Sequence, residues 1–70
     1  MGIVGERIKE CRLSLGMTQE SVAKRLGVQK QTVYKYEVGF ITNIGIQTIQ
    51  RLSEIFYVRP EYLVGWTDEK

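Results

Sequence analysis

Six neighbouring residues, Gln29, Lys30, Gln31, Thr32, Tyr34 and Lys35, carry side chains suited to work on a nucleic acid. Glutamine can bond adenine bidentately through its amide, and lysine can donate to O6 and N7 of guanine. A threonine hydroxyl can bond a phosphate, and its methyl can touch a thymine methyl. By composition alone such a run is also an ordinary solvated helix face. The pattern around it separates the two readings.

That pattern spans Thr18 to Gly39 and holds two short amphipathic helical repeats broken once by glycine. Counted from Gln19 as the first position of a helix-turn-helix, Ala23 falls where the two helices cross and only a small side chain fits. Gly27 falls on the tight turn, where positive φ is cheapest for glycine. Val22, Leu26, Val28, Val33 and Tyr36 supply the apolar seam. Val33 and Tyr36 face inward, so Lys30, Gln31, Tyr34 and Lys35 lie on the opposite face, with Gln29 and Thr32 near the start. Such a motif inserts its second helix into a DNA major groove.

Other residues bear on the same chemistry. Two roles are open to Gln19: reaching a phosphate held at the N-terminus of the first motif helix, or leaning across to the second. Asn43, in the loop beyond, suits either a second phosphate clamp or a turn. Arg12 and Glu37 read as an ion pair tying the second motif helix to the first helix of the chain. If that pair is buried, losing one partner strands a charge.

Five helices would position these groups. The first runs from about Gly5 to Leu15, with Val4, Ile8, Cys11 and Leu15 marking its buried face. Thr18 caps the second, which ends near Leu26. The third covers about Lys30 to Glu37, and Phe40 to Ile44 form a loop. The fourth starts near Gly45 and buries Ile49, Leu52 and Phe56. Pro60 suits the first turn of a short fifth helix carrying Tyr62, Leu63 and Val64. Tyr62, Phe40 and Trp66 are the aromatics with partial exposure open to them. Trp66 either covers the end of the core or packs on a second subunit, and the core role is favoured because so small a domain needs its tryptophan buried. Residues 1–66 form the expected all-α domain, and residues 67–70 are expected to fray.

Seventy residues with 43% hydrophobic content suffice for one small core. The net charge of +2 is modest but uneven. Up to Phe40 there are seven Lys/Arg against four Asp/Glu; beyond it, three against four. The basic excess lies with the motif. Enzyme function is disfavoured: there is no histidine, Cys11 reads as a core residue, and Asp68 is the only aspartate. No metal spacing, phosphate loop, cofactor motif or small-molecule site is evident. No signal-peptide or membrane-spanning pattern appears, and the lone cysteine fits a reducing cytoplasm.

The chain resembles the Cro/repressor-type, lambda-repressor-like helix-turn-helix domains. The resemblance covers nearly its whole length. It rests on Arg7-Ile-Lys-Glu-Cys-Arg12 before Gly16, Thr18-Gln19, Ala23 to Val28, Glu37, Gly39, Asn43, Leu52 to Phe56 and Val58 to Leu63. It implies a phosphate contact for Gln19, base contacts for Lys30, Gln31 and Lys35 bordered by Gln29, Thr32 and Tyr34, and the Arg12–Glu37 ion pair. It also implies a homodimer on a pseudo-palindromic double-stranded operator, and transcriptional regulation, commonly repression. A protein–protein module of antitoxin or adaptor type, using the surface of the fourth and fifth helices, is the alternative. Three residues depart from the family pattern. Gln29 stands where Ser or Thr usually caps the third helix, Tyr57 where Gly or Asn is common, and Ile44 where Pro is common.

Overall fold

A computed structural model describes residues 3–70. Among them the regular structure is all helical: α1 (Ile3–Ser14), α2 (Gln19–Leu26), α3 (Lys30–Val38), α4 (Ile46–Phe56) and α5 (Pro60–Leu63). The expected all-α, five-helix architecture is the one observed.

The motif is built from local signals. Thr18 is extended and its side chain accepts a hydrogen bond from the Ser21 N–H at 3.0 Å, capping α2. Gly27 ends α2 at φ 80°, ψ 31°, a left-handed conformation that glycine adopts without Cβ strain. Its N–H returns to the Ala23 carbonyl. Gln29 is the extended residue before α3 and makes no side-chain capping bond. Tyr57 closes α4 in the left-handed region, at φ 60°, ψ 40°. It is the only residue besides glycine with positive φ among those described.

The core gathers Ile8 and Cys11 from α1, Val22 and Ala23 from α2, Val33 from α3, the inner face of α4, and Tyr62 and Leu63 from α5. Leu26, Val28 and Tyr36 pack against it partly buried. Burial pushes the Cys11 thiol pKa upward, which keeps it protonated. α1 and α3 pack tightly at Gly5, where an added Cβ would overlap the Tyr36 carbonyl and stand 2.9 Å from that of Glu37.

Several details differ from expectation. α1 starts at Ile3 and ends at Ser14, so the chain turns before Leu15, which is 45% exposed rather than buried. Tyr62 is buried, while Trp66 is 83% exposed. Tyr62 and Leu63 already fill the end of the core. The following turn bonds the Trp66 N–H to the Glu61 carbonyl at 2.9 Å and leaves the indole outside.

The tail expected to fray is tied down. Arg7 of α1 donates to the carbonyls of Tyr62 and Thr67 at 2.5 and 2.6 Å and to Asp68 Oδ1 at 2.7 Å. Its guanidinium stacks 4.1 Å from the Tyr62 ring centroid. The Arg59 N–H donates to the Lys70 carbonyl at 3.2 Å. Carbonyl acceptors and one carboxylate around a largely buried guanidinium supply what an isolated tail lacks.

Candidate nucleic-acid interface

The two faces of α3 have different surroundings. Val33 and Glu37 are buried and Tyr36 is half-buried. Lys30, Gln31, Tyr34 and Lys35 are exposed, as is Gln29 before the helix, and Thr32 is half-buried. Val38 extends the exposed face by one residue, since α3 runs one residue past Glu37. The outward side is thus amide-rich and basic, with Tyr34 and Val38 as its apolar members.

Glu37 fixes the inner side. Its side chain is 2% exposed and that of Arg12 is 11% exposed. Arg12 Nε donates to Glu37 Oε2 at 2.7 Å and Nη2 to Oε1 at 3.1 Å, a two-pronged pair. A third donor, Nη1, reaches the Met17 carbonyl at 3.0 Å. Of the two roles open to Gln19, the structure displays the lean toward α3: its Nε2 donates to Glu37 Oε1 at 3.0 Å. One carboxylate therefore joins α1, α2 and α3. Among the described residues every buried side-chain nitrogen and oxygen has a hydrogen-bond partner.

Gln19 also lines an open cleft of about 410 Å³ together with Arg12, Met17, Thr18, Glu20 and Lys30. The cleft sits where α2 and α3 both begin. Lys30 therefore stands beside the α2 N-terminus, whose free N–H groups and positive dipole end favour an anion. An amide nitrogen has two hydrogens, so Gln19 keeps one donor beyond Glu37.

Asn43 is exposed in the loop between α3 and α4. The Ile41 N–H donates to the Lys35 carbonyl at 3.2 Å, tying this loop to the end of α3. The structure thus brings Gln19 and Lys30 to one cleft, sets Gln31, Tyr34 and Lys35 on the adjoining helix face, and holds Asn43 on a loop anchored to that helix. Sequence reasoning missed Gly5, whose absent side chain sets the α1–α3 distance. It also missed Met17, which contributes only a carbonyl. A glycine inside an otherwise helical repeat was the one available signal for the first; nothing in the residue type marks the second.

The sequence pattern of the helix-turn-helix family matches residues 8–63. The chain belongs to the helix-turn-helix family. This helix-turn-helix chain is 38% identical over 63 residues to the SPbeta prophage-derived, uncharacterized HTH-type transcriptional regulator YonR of Bacillus subtilis. That match covers 90% of this chain and 57% of YonR, so the chain spans little more than half of that relative. It is 36% identical over 64 residues to an uncharacterized HTH-type transcriptional regulator of Archaeoglobus fulgidus, covering 91% of this chain and 90% of the other. In three dimensions it is similar to the P22 c2 repressor solved with a synthetic operator. The TM-score is 0.84 and the identity 25%, with 96% of this chain and 100% of the repressor chain covered. It is also similar to the biofilm regulator SinR solved with DNA, with a TM-score of 0.80, 30% identity, and 86% and 95% coverage. The lambda-repressor-like resemblance of the sequence is thereby matched in the fold. No helix among the described residues is long and apolar enough to cross a membrane.

Proposed function

We propose that this helix-turn-helix chain is a sequence-specific, double-stranded DNA-binding transcriptional regulator, of the kind that represses, acting in the cytoplasm. The observation that carries the reading is the two-sidedness of α3. Its inner face is locked by Val33 and the Glu37 junction, while its outer face presents Gln31, Tyr34 and Lys35 without internal partners among the side-chain bonds described. A rigid helix with a polar, basic outer face meets the demands of base reading in a major groove. The names and bound partners of the relatives and structural neighbours support the same reading.

In this reading Lys30, Gln31 and Lys35 contact base edges, with Gln29, Thr32 and Tyr34 at their border. Gln19 and Asn43 hold phosphates, and Lys24 and Arg25 add sequence-independent attraction that weakens with salt. Two copies bind a pseudo-palindromic operator, one half-site each, in successive major grooves. The proposed activity is binding, not catalysis. A protein-partner role for the surface of α4 and α5 is favoured by one observation, the exposure of Ile46 and Trp66 there.

Selection from a random double-stranded DNA library at moderate salt tests the proposal. An enriched palindrome with half-sites about one helical turn apart supports a dimeric, base-reading regulator. Absence of any enriched sequence overturns it in favour of the protein-partner role.

A further inference from the structure

The outer face of α3 changes character along its length. Lys30, Gln31 and Lys35 are polar, whereas Tyr34 is 48% exposed and Val38 is 46% exposed. Helical geometry sets Val38 almost two full turns beyond Gln31, so the two point to nearly the same side about 10 Å apart. Tyr34, one turn before Val38, is its neighbour on that face. Phe40, in the turn just past the helix, is 76% exposed. That turn is held: Gly39 stands at φ 88°, and the Ile41 N–H returns to the Lys35 carbonyl. No charged residue occurs between Glu37 and Arg51. One exposed valine on a surface is ordinary, but Val38 closes a helix whose last turn favours a cation and an unbranched side chain, and it supplies neither.

We infer that Tyr34 and Val38 select thymine by its 5-methyl group, so that each half-site carries thymine beside the base pairs met by Gln31 and Lys35. The inference rests on the regulator function proposed above and names what the far half of the reading helix reads. Chemistry narrows the choice. In the major groove a base pair shows donors, acceptors and one apolar group, the thymine methyl. Lys30, Gln31 and Lys35 match the donors and acceptors. Two apolar side chains continuous with them on one rigid face match only the methyl. A stretch with nothing but phosphates to meet would carry positive charge, and none follows Lys35 before Arg51. Removing both the methyl and the side chains from water gives the contact its strength. The distance along α3 also sets a limit: the selected thymine lies within about three base steps of the pair met by Gln31.

Uracil differs from thymine only by the missing methyl, so it supplies the test without altering the protein. Duplexes carrying the half-site enriched by selection are made with each thymine replaced in turn by uracil, and the affinity of the whole chain is measured for each. The pair met by Gln31 is the one at which Gln31→Ala relaxes preference. The expected result is a loss of about three- to tenfold at one or two thymines within about three base steps of that pair. The double variant Tyr34→Ala with Val38→Ala should bind the thymine and uracil forms within about twofold of each other while still requiring the base at the Gln31 position. Equal affinity for both forms at every thymine overturns the inference and leaves the regulator function standing, as does an enriched half-site without thymine in that interval. Discrimination undiminished in the double variant overturns it as well, by moving the methyl contact elsewhere on the protein. Failure of selection to enrich any sequence counts against the regulator function itself, and against the inference with it.

Discussion

Gly5 of α1 lies against the carbonyl of Tyr36 in α3 so closely that a methyl group at position 5 would overlap it. The obstacle is helix backbone, which cannot rotate away as a side chain can. The gap between the scaffold helix and the outward-reading helix is therefore set by a hydrogen atom. Gly5→Ala is expected to force α1 and α3 apart and destabilise the domain by about 1–3 kcal/mol, despite alanine's better helix propensity. A thermal melt at or above the parent's would refute this.

Glu37 serves Arg12 and Gln19 at once. Glu37→Ala leaves the Arg12 guanidinium buried with only the Met17 carbonyl, a loss of about 3–5 kcal/mol by analogy with broken buried pairs. A core of this size supplies a net stability of the same order, so the variant should be largely unfolded at room temperature. Urea titration measures it. Replacing both partners with apolar residues, as in Arg12→Met with Glu37→Leu, should recover most of the loss, since no charge is then stranded.

Tyr57 gives the opposite expectation. It occupies the left-handed region while 80% exposed, so its ring returns little packing for its strain. Tyr57→Gly should stabilise by roughly 1 kcal/mol, or about 4–8 °C in Tm, once the extra freedom of glycine in the unfolded chain is set against relief of strain. An unchanged or lowered Tm would show that the exposed ring contributes more than its contacts suggest.

Binding measurements separate the roles on the interface. Lys30→Ala and Gln31→Ala should each relax preference at one base position and cost about 1–3 kcal/mol. Gln19→Ala should weaken binding to all sequences alike. Selection repeated with each variant distinguishes them: uniform loss for Lys30 or Gln31 would assign those residues to phosphates, and altered preference for Gln19 would move it among the base readers.

Arg7→Met retains much of the aliphatic stem but removes three hydrogen bonds, to Tyr62, Thr67 and Asp68. Residues 67–70 should then be released, with faster amide exchange after Gly65 and earlier proteolytic trimming. Exchange identical to the parent would mean that the Arg59–Lys70 backbone bond holds the tail without Arg7.

The helices are legible in the sequence because their signals are local. Thr18 and Gly27 bound α2 in the structure as their chemistry requires, and the repeat of Ile49, Leu52 and Phe56 marks the buried side of α4. The Arg12–Glu37 pair is legible too, through the family resemblance and the opposite charges on facing helices. What fails depends on distant backbone. Arg7 finds its acceptors 55, 60 and 61 residues away, two of them carbonyls that any residue type would provide. Leu15 fits the helical repeat but lies past the end of α1. Trp66 reads as core by size, yet Tyr62 takes the space and Trp66 follows a turn that points outward. Which way Gln19 leans depends on where Glu37 ends up, and spacing along the chain does not encode that.

The split character of α3 has a consequence for divergence. Val33, Tyr36 and Glu37 answer to the scaffold, while Gln31, Tyr34 and Lys35 are exposed and make no side-chain hydrogen bond among the described residues. Mutation can thus redraw the outer set freely while the inner set keeps the helix at the same height and angle. The domain works as an interchangeable key blank: its shank is fixed by a glycine and a carboxylate, and its teeth are cut independently.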